Sequence, residues 1–175
     1  MRIGEIKSRE ELIKFFAHSN FKKGAEIGVN YGLFSEYMHK VIPDLQLLSI
    51  DPWFPKYKHS DRAEKQAIKR LSVYPGNKII KKPSMEVVCN IEEQSLDFVY
   101  IDGNHNFDSV MGELIEWSKR VRSGGIVAGH DYIKRLRGLR TAVNYYVHFH
   151  KIPLYLTKKQ RFGADKYISF YFEKK

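Results

Sequence analysis

The segment Leu96–Ile101 reads Leu-Asp-Phe-Val-Tyr-Ile, a nearly continuous apolar run of strand length. A strand covered on one face alternates apolar and polar residues, whereas one covered on both reads as such a run. It demands a parallel sheet with helices on each side, and the flanking chain supplies them. Short runs at Ala25–Val29, Leu45–Ile50, Lys78–Lys81 and Gly125–Ala128 alternate with helical patterns at 8–18, Gly32–Val41, Asp61–Val73, Ser84–Cys89, Phe107–Val121 and Leu136–His150. That order marks a doubly wound α/β fold. Ser8, with Glu11 three positions on, caps the first helix. Phe107, Val110, Met111, Leu114 and Ile115 follow one-face helical spacing, and Gly124-Gly125 reads as the stop of that helix. Leu154–Thr157 and Tyr167–Phe172 are too close in sequence for a crossover helix, so they should pair antiparallel. The expected sheet has five or six parallel strands and one antiparallel strand at the end.

The 175 residues suit one domain, expected to span residues 1–175. The single Cys89 excludes a disulfide framework and a multi-cysteine zinc site. No window approaches eighteen apolar residues, and the first residues carry no apolar signal core; a cytoplasmic protein without membrane contact is the expectation. Thirty Lys+Arg against twenty Asp+Glu leave a net charge of +10. Such a balance favours anionic partners, with a solvated surface as the plain alternative.

In open α/β sheets ligands bind outside the carboxyl ends of the strands. Polar residues and glycines collect at those ends here. The first strand runs into Glu26-Ile27-Gly28-Val29-Asn30-Tyr31-Gly32, and the second into Asp51-Pro52-Trp53. Ser84 follows the third, Asp102-Gly103-Asn104-His105 the fourth, and His130-Asp131 the fifth. Gly28 and Gly32 are spaced for neither the dinucleotide fingerprint nor the phosphate loop, but let backbone approach a ligand at a helix start. Asp51, 19 residues past Gly32, stands where a carboxylate accepts both ribose hydroxyls, and Trp53 is placed to stack on an adenine. A tight βα turn for the glycines and a turn or cap role for Asp51 are the structural alternatives.

These segments together resemble the successive motifs of class I S-adenosylmethionine-dependent methyltransferases. The likeness is carried by Ala-Glu-Ile-Gly-Val-Asn-Tyr-Gly-Leu-Phe-Ser, Ser-Ile-Asp-Pro-Trp, Leu-Asp-Phe-Val-Tyr-Ile-Asp-Gly-Asn-His and Arg-Ser-Gly-Gly-Ile-Val-Ala-Gly-His-Asp-Tyr, over about residues 22–132. More narrowly the chain resembles the methyltransferase 24 family, relatives of the macrolide-sugar and catechol O-methyltransferases. The resemblance implies a Rossmann-like, seven-stranded, mostly parallel sheet with its last strand inserted antiparallel. It implies S-adenosyl-L-methionine as cofactor. Glu26 and Gly28 would line its methionine part, Asp51 the ribose, Trp53 and Ser84 the adenine side, and Asp102 the sulfonium neighbourhood, with Tyr31, Gly32 and Ser35 also among the cofactor-binding residues. In metal-dependent relatives, carboxylates after the fourth and fifth strands hold Mg²⁺, which corresponds here to Asp102 and Asp131. Tyr132 departs from that pattern, which has an Asn after the second carboxylate.

Methyl transfer from a sulfonium is an in-line displacement, and an alcohol acceptor needs its proton removed. His105 or His130 is the candidate general base, with Asp102 beside them; Mg²⁺ on Asp102 and Asp131 is the other way to acidify the hydroxyl. Asp51-Pro52-Trp53-Phe54 looks like the signature of amino-group methyltransferases, but it follows the second strand rather than the fourth, which favours an oxygen acceptor. Lys134, Arg135, Arg137 and Arg140 follow the fifth strand, Lys158, Lys159 and Arg161 the sixth, and Lys56, Lys58 and His59 the second. A shared basic rim there suits a small anionic or sugar-like acceptor. RNA as acceptor and a non-catalytic S-adenosylmethionine-binding module are the rivals. The short amino-terminal segment offers little material for a lid, so the acceptor pocket is expected to be open or completed by a second subunit of a homodimer.

Overall fold

The computed structural model describes residues 2–56, 59–158 and 167–175. Its strands are β1 (Lys23–Ile27), β2 (Gln46–Ile50), β3 (Asn77–Ile80), β4 (Leu96–Ile101), β5 (Val121–Gly129), β6 (Tyr155–Leu156) and β7 (Phe170–Glu173). They form one seven-stranded sheet in the order β3-β2-β1-β4-β5-β7-β6. The pairings from β3 through β5 are parallel, and β7 runs antiparallel to both neighbours, inserted between β5 and β6. The sheet is therefore the Rossmann-like, mixed α/β fold expected. The helices are α1 (Arg9–His18), α2 (Leu33–Val41), α3 (Ser60–Leu71), α4 (Ser84–Val87), α5 (Phe107–Arg120) and α6 (Arg137–Phe149).

The sheet is buried on both faces because strand parity divides its side chains. Ala25, Ile27, Val99, Ile101 and Val127 face one way and pack with Val110, Leu114 and Trp117 of α5 and Leu139 and Val143 of α6. Leu47, Phe98, Tyr100, Ile126 and Ala128 face the other and pack with Leu12, Ile13 and Phe16 of α1 and Met38 of α2. Ala63, Ala67 and Leu71 of α3 close over Val29 and Trp53 in a third, smaller cluster. Ser8 caps α1 by accepting the Glu11 N–H at 3.1 Å, while the Glu11 carboxylate accepts the Lys7 N–H at 2.8 Å.

Two sequence expectations need correction. The glycine pair Gly124-Gly125 does not stop α5. That helix ends at Arg120 and passes straight into β5, and the glycines serve an irregularity in the strand. Leu96 pairs with Val121 and Phe98 with Ile126, so residues 122–125 are looped out of the ladder. Gly124 takes φ 75° there, and a Cβ on Gly125 would stand 2.5 Å from the Asp97 carbonyl oxygen. The inward face of α5 is also rotated from the one expected. Val110, Glu113, Leu114, Trp117 and Ser118 are buried, whereas Phe107 and Ile115 are exposed.

Gly28 holds the tightest point of the sheet's carboxyl edge. Its φ is 89°, and a Cβ would lie 2.1 Å from the Asp102 carbonyl oxygen. The substitution G28A should therefore cost about 3 kcal/mol or more, combining a left-handed backbone with overlap against rigid backbone. G112A, inside α5 with its nearest neighbour atom 3.8 Å away, should instead stabilise by about 0.5–1 kcal/mol. Urea unfolding followed by circular dichroism measures both; equal stabilities for the two variants would contradict the packing described.

Candidate active site

The backbone ladder continues one step beyond the strands. The Gly28 N–H donates to the Ile50 carbonyl at 2.9 Å, and the Asp102 N–H to that of Ile27 at 2.7 Å. The loops after β1, β2 and β4 consequently leave the sheet side by side. Together with the start of α4 they enclose a cavity of about 460 Å³, within the range of small-molecule sites. Gly28, Asn30, Asp51, Ser84, Asp102 and Glu113 contribute its polar wall. Pro52, Phe54, Pro83 and Met85 contribute much of the apolar wall.

Asp51 performs the turn role considered for it and lines the cavity as well. One carboxylate oxygen accepts the Asn30 N–H at 2.9 Å, the other the Trp53 N–H at 2.8 Å. Trp53 does not reach the cavity. Its φ of 40° turns the indole into the α3 cluster, where Nε1 donates to the Asn30 carbonyl at 3.0 Å and the side chain is buried. The ring facing the cavity is Phe54, with the Lys56 ammonium 5.1 Å from its centroid.

Four more expected cofactor residues stand behind the wall. Strand alternation turns Glu26 to the α2 face, where it accepts a hydrogen bond from the Ser35 hydroxyl. Both side chains are fully enclosed, in a polar strip that continues through Ser49 to Asn77 and His39. Tyr31 packs against the α3 cluster, and its carbonyl accepts from Arg70 at 3.2 Å. Gly32 precedes α2 with φ 73°, where a Cβ would lie 3.2 Å from the Ala67 Cα. These residues build the wall from outside rather than line it.

Asp102 also belongs to a second group, on the α6 side. His105 Nε2 lies 3.3 Å from Asp131 Oδ2 and 3.9 Å from Asp102 Oδ1. His130 Nδ1 lies 3.2 Å from Asp131 Oδ1 and 3.8 Å from Asp102 Oδ2. The Asp102 carboxylate, reinforced by Asp131, raises the His105 imidazole above its ordinary value against the opposing effect of burial. Burial works to raise the Asp131 carboxyl, but His130, His105 and Arg135 hold it below the usual carboxylate range. His105 is half-buried, whereas His130 is buried with Nε2 unpartnered. One ligand atom each from Asp102, His105 and Asp131 lie within 4.8 Å of one another, a set that fits a divalent cation. Tyr132 adds no oxygen to it, because its hydroxyl donates to Asn144 at 2.6 Å.

The first turn of α6 is docked on this group. A Cβ on Gly138 would stand 2.8 Å from the Phe107 nitrogen and 3.0 Å from the His105 carbonyl oxygen. Arg140 lies with its guanidinium 5.2 Å from the Tyr132 ring centroid, and Lys134, Arg135 and Arg137 are exposed around it. Lys158 sits across the sheet, its N–H donating to the Lys7 carbonyl at 2.9 Å. Arg161, Lys159 and Lys58 lie outside the described residues. Glu113, Ser109 and Met85 line the cavity although no sequence motif points to them, and Asn104 and Phe54, which belong to the motifs after β4 and β2, line it as well.

This sheet order, with its cavity at the parallel strand ends, defines a class I methyltransferase fold. Cofactor-bound Rv0187 from MTB superposes with a TM-score of 0.74 at 12% identity, over 100% of this chain and 84% of that one. The O-methyltransferase TomG from Streptomyces achromogenes, in complex with SAM, gives 0.68 at 14% identity, over 95% of this chain and 80% of that one. The N-methyltransferase NodS from Bradyrhizobium japonicum WM9, in complex with S-adenosyl-L-homocysteine, gives 0.67 at 15% identity, over 95% and 85%. These likenesses are of fold. No curated protein matches the chain. A model of the methyltransferase 24 family, described as a methyltransferase domain, matches residues 25–132, and the chain belongs to that family.

Burial pushes the Glu26 carboxyl from 4.5 up to about 8, with the Ser35 hydrogen bond opposing and the Asp102 charge reinforcing. Between those values the folded chain holds a proton that the unfolded chain has lost. This contribution to stability is therefore full below pH 4.5 and is lost as pH rises through about 8. The conservative variant E26Q removes the titration. In the ligand-free protein its melting temperature should gain on wild type steadily from pH 5 to pH 8, measured by thermal scans. A constant difference would show that Glu26 is ionised in the fold.

Proposed function

We propose that the chain, as one domain, transfers the methyl group of S-adenosyl-L-methionine to a hydroxyl of a small anionic or sugar-like acceptor. The observation that carries this reading is that Asp102 belongs both to the cavity and to the histidine–carboxylate group beside it. A donor held in the cavity would have its sulfonium near Asp102, and an acceptor beside His105 would meet it there. In the transfer the oxygen–methyl bond forms as the sulfur–methyl bond breaks, and the product nucleoside is S-adenosylhomocysteine.

Asp51 retains lone pairs for the ribose hydroxyls, and Gly28 offers backbone without a side chain in the way. His105 is the general base, taking the acceptor's proton as the carbon–oxygen bond forms. Its carboxylate neighbours make it a stronger base than a free imidazole and hold the imidazolium that results. His130 acts through Asp131, orienting that carboxylate. If a divalent cation such as Mg²⁺ is used, Asp102, Asp131 and His105 would hold it, and its charge would acidify the hydroxyl. The cations from Lys134 to Arg140 favour an anionic acceptor, and their position beside the loop of His105 supports a small one over RNA.

Titration calorimetry should give a micromolar dissociation constant for S-adenosylhomocysteine, weakened about tenfold or more in D51A. Release of S-adenosylhomocysteine across a panel of sugar acids, phosphorylated sugars and hydroxylated acids identifies the acceptor. With that acceptor, H105Q should lower kcat by about 10²–10⁴ and leave cofactor binding intact. The wild-type rate should rise with pH through a midpoint above that of free histidine, because the base acts unprotonated. Loss of activity on chelation, restored by one cation, assigns the proton removal to a metal instead. A KM unchanged by salt in the triple variant R135A/R137A/R140A would remove the anionic acceptor.

A further inference from the structure

A second cavity opens between the last turns of α5 and α6, at the opposite end of those helices from the loop of His105. Its volume is about 350 Å³, and Ile115, Tyr146, His150 and Ile152 form its apolar and aromatic wall. The Tyr146 and His150 ring centroids lie 4.5 Å apart. Ser118, Lys119, Lys174 and Lys175 complete the lining. The ammonium groups of these lysines already donate within the chain: Lys119 to Glu116 at 2.6 Å, Lys174 to the main-chain oxygen of Lys175 at 2.6 Å and Lys175 to the Lys151 carbonyl at 2.9 Å. The lysines therefore offer the cavity alkyl stem rather than uncommitted charge, and the occupant it suits is apolar rather than anionic.

An exposed ring stands beside it. Phe149 is 81% exposed and Tyr145 66%. Gly138, Tyr145 and Phe149 follow one another at spacings of seven and four residues, so they share one side of α6. Gly138 packs on the Phe107 nitrogen, which marks that side as the one turned toward α5. Phe107 begins a stripe on α5 that continues through Met111 to Ile115, with Phe107 40% and Ile115 42% exposed. A lone exposed aromatic is ordinary, but two of them beside an apolar stripe and an unfilled apolar cavity mark an interface.

The charge pattern indicates the partner. From Thr141 to His150 there is no Asp, Glu, Lys or Arg, in a chain where these make up 29% of residues and the net charge is +10. An anionic partner would be drawn to the cation-bearing segments instead. Two copies of so basic a chain repel where their lysines and arginines meet, and this segment is where they can approach. One copy carries both the ring and the hole, as a self-complementary contact across a twofold axis requires. A cavity of about 150 Å³ already suffices for a benzene ring.

We propose that this face is the contact between two copies of the chain, Phe149 of each entering the cavity of the other. Phe149 lies about 16 Å along α6 from Gly138, which places the partner away from the loop of His105. Nothing in this contact depends on what the cleft at the strand ends binds.

Sedimentation velocity tests it. Wild type should sediment as a particle of twice 20.6 kDa. F149E should weaken association about a hundredfold or more, because it places a charge in an apolar hole. V73E, at another exposed apolar residue, beyond the end of α3, should leave the dimer intact. Circular dichroism checks that both variants fold. p-Benzoylphenylalanine placed at position 149 and irradiated should give a cross-linked dimer whose adducts map to peptides containing Ile115 or Ile152. A wild type that stays monomeric at about 100 µM overturns the proposal and leaves the face to an unlike protein or a small apolar ligand. A dimer that F149E leaves intact, or adducts confined to peptides outside the cavity, overturns it as well.

Discussion

The contact between Gly28 and the backbone of Asp102 sets the geometry on which the rest of the molecule depends. Two parallel strands can bring their following loops together only if no side chain intervenes. Gly28 meets that condition by taking a left-handed conformation directly against the Asp102 carbonyl. The ladder then runs on past the strand ends, and the loops after β2 and β5 are drawn to the same edge. Asp51, Asp102 and the histidine–carboxylate group are near one another because of that edge, not because of any attraction between them. Two carboxylates and two imidazoles would not assemble without a frame holding them.

The frame sorts acidic groups into different chemical states. Glu26 lies on the far face of its strand, sealed and raised by burial. Glu113 is raised more moderately, against an open cavity. Asp131 stays low because imidazoles face it. Position relative to the sheet, rather than residue type, decides which carboxyl is neutral and which is charged. The excess of cations over anions, +10 over the chain, is carried partly by the segment that follows β5. A negatively charged acceptor approaching that edge would meet favourable potential before it met the reacting groups.

Much of this was legible in the chain itself. The continuous run of β4 marked its bounds to the residue, and the polar residues after each parallel strand marked the ligand edge. The direction of individual side chains is less legible. Trp53 looked available for stacking because it follows Asp51, but its positive φ rotates the indole inward, and no sequence pattern announces that conformation. Glu26 and Ser35 read as ligand contacts because they sit in the glycine segment. Strand alternation turns Glu26 to the α2 face, and Ser35, on the buried side of α2, meets it there. Gly124 and Gly125 suggested a helix end because a left-handed residue serves a bulge as well as a cap. Glu113 is hidden in the sequence because the helical spacing through Phe107 and Ile115 marks a different face of α5 from the buried one. Val110 and Trp117 define the true inward face, and Glu113, three residues after Val110, lies on it and is buried with Ser84 as its partner.

The central claim is that the loops after β1, β2 and β4 form one cleft for a sulfonium nucleoside. A crystal structure of the protein grown with S-adenosylhomocysteine tests it most directly. The account predicts density in this cleft, with the ribose hydroxyls on Asp51, the base between Phe54 and Met85, and the sulfur nearest Asp102. A nucleoside ordered anywhere else, or an empty cleft at a saturating concentration, would contradict it.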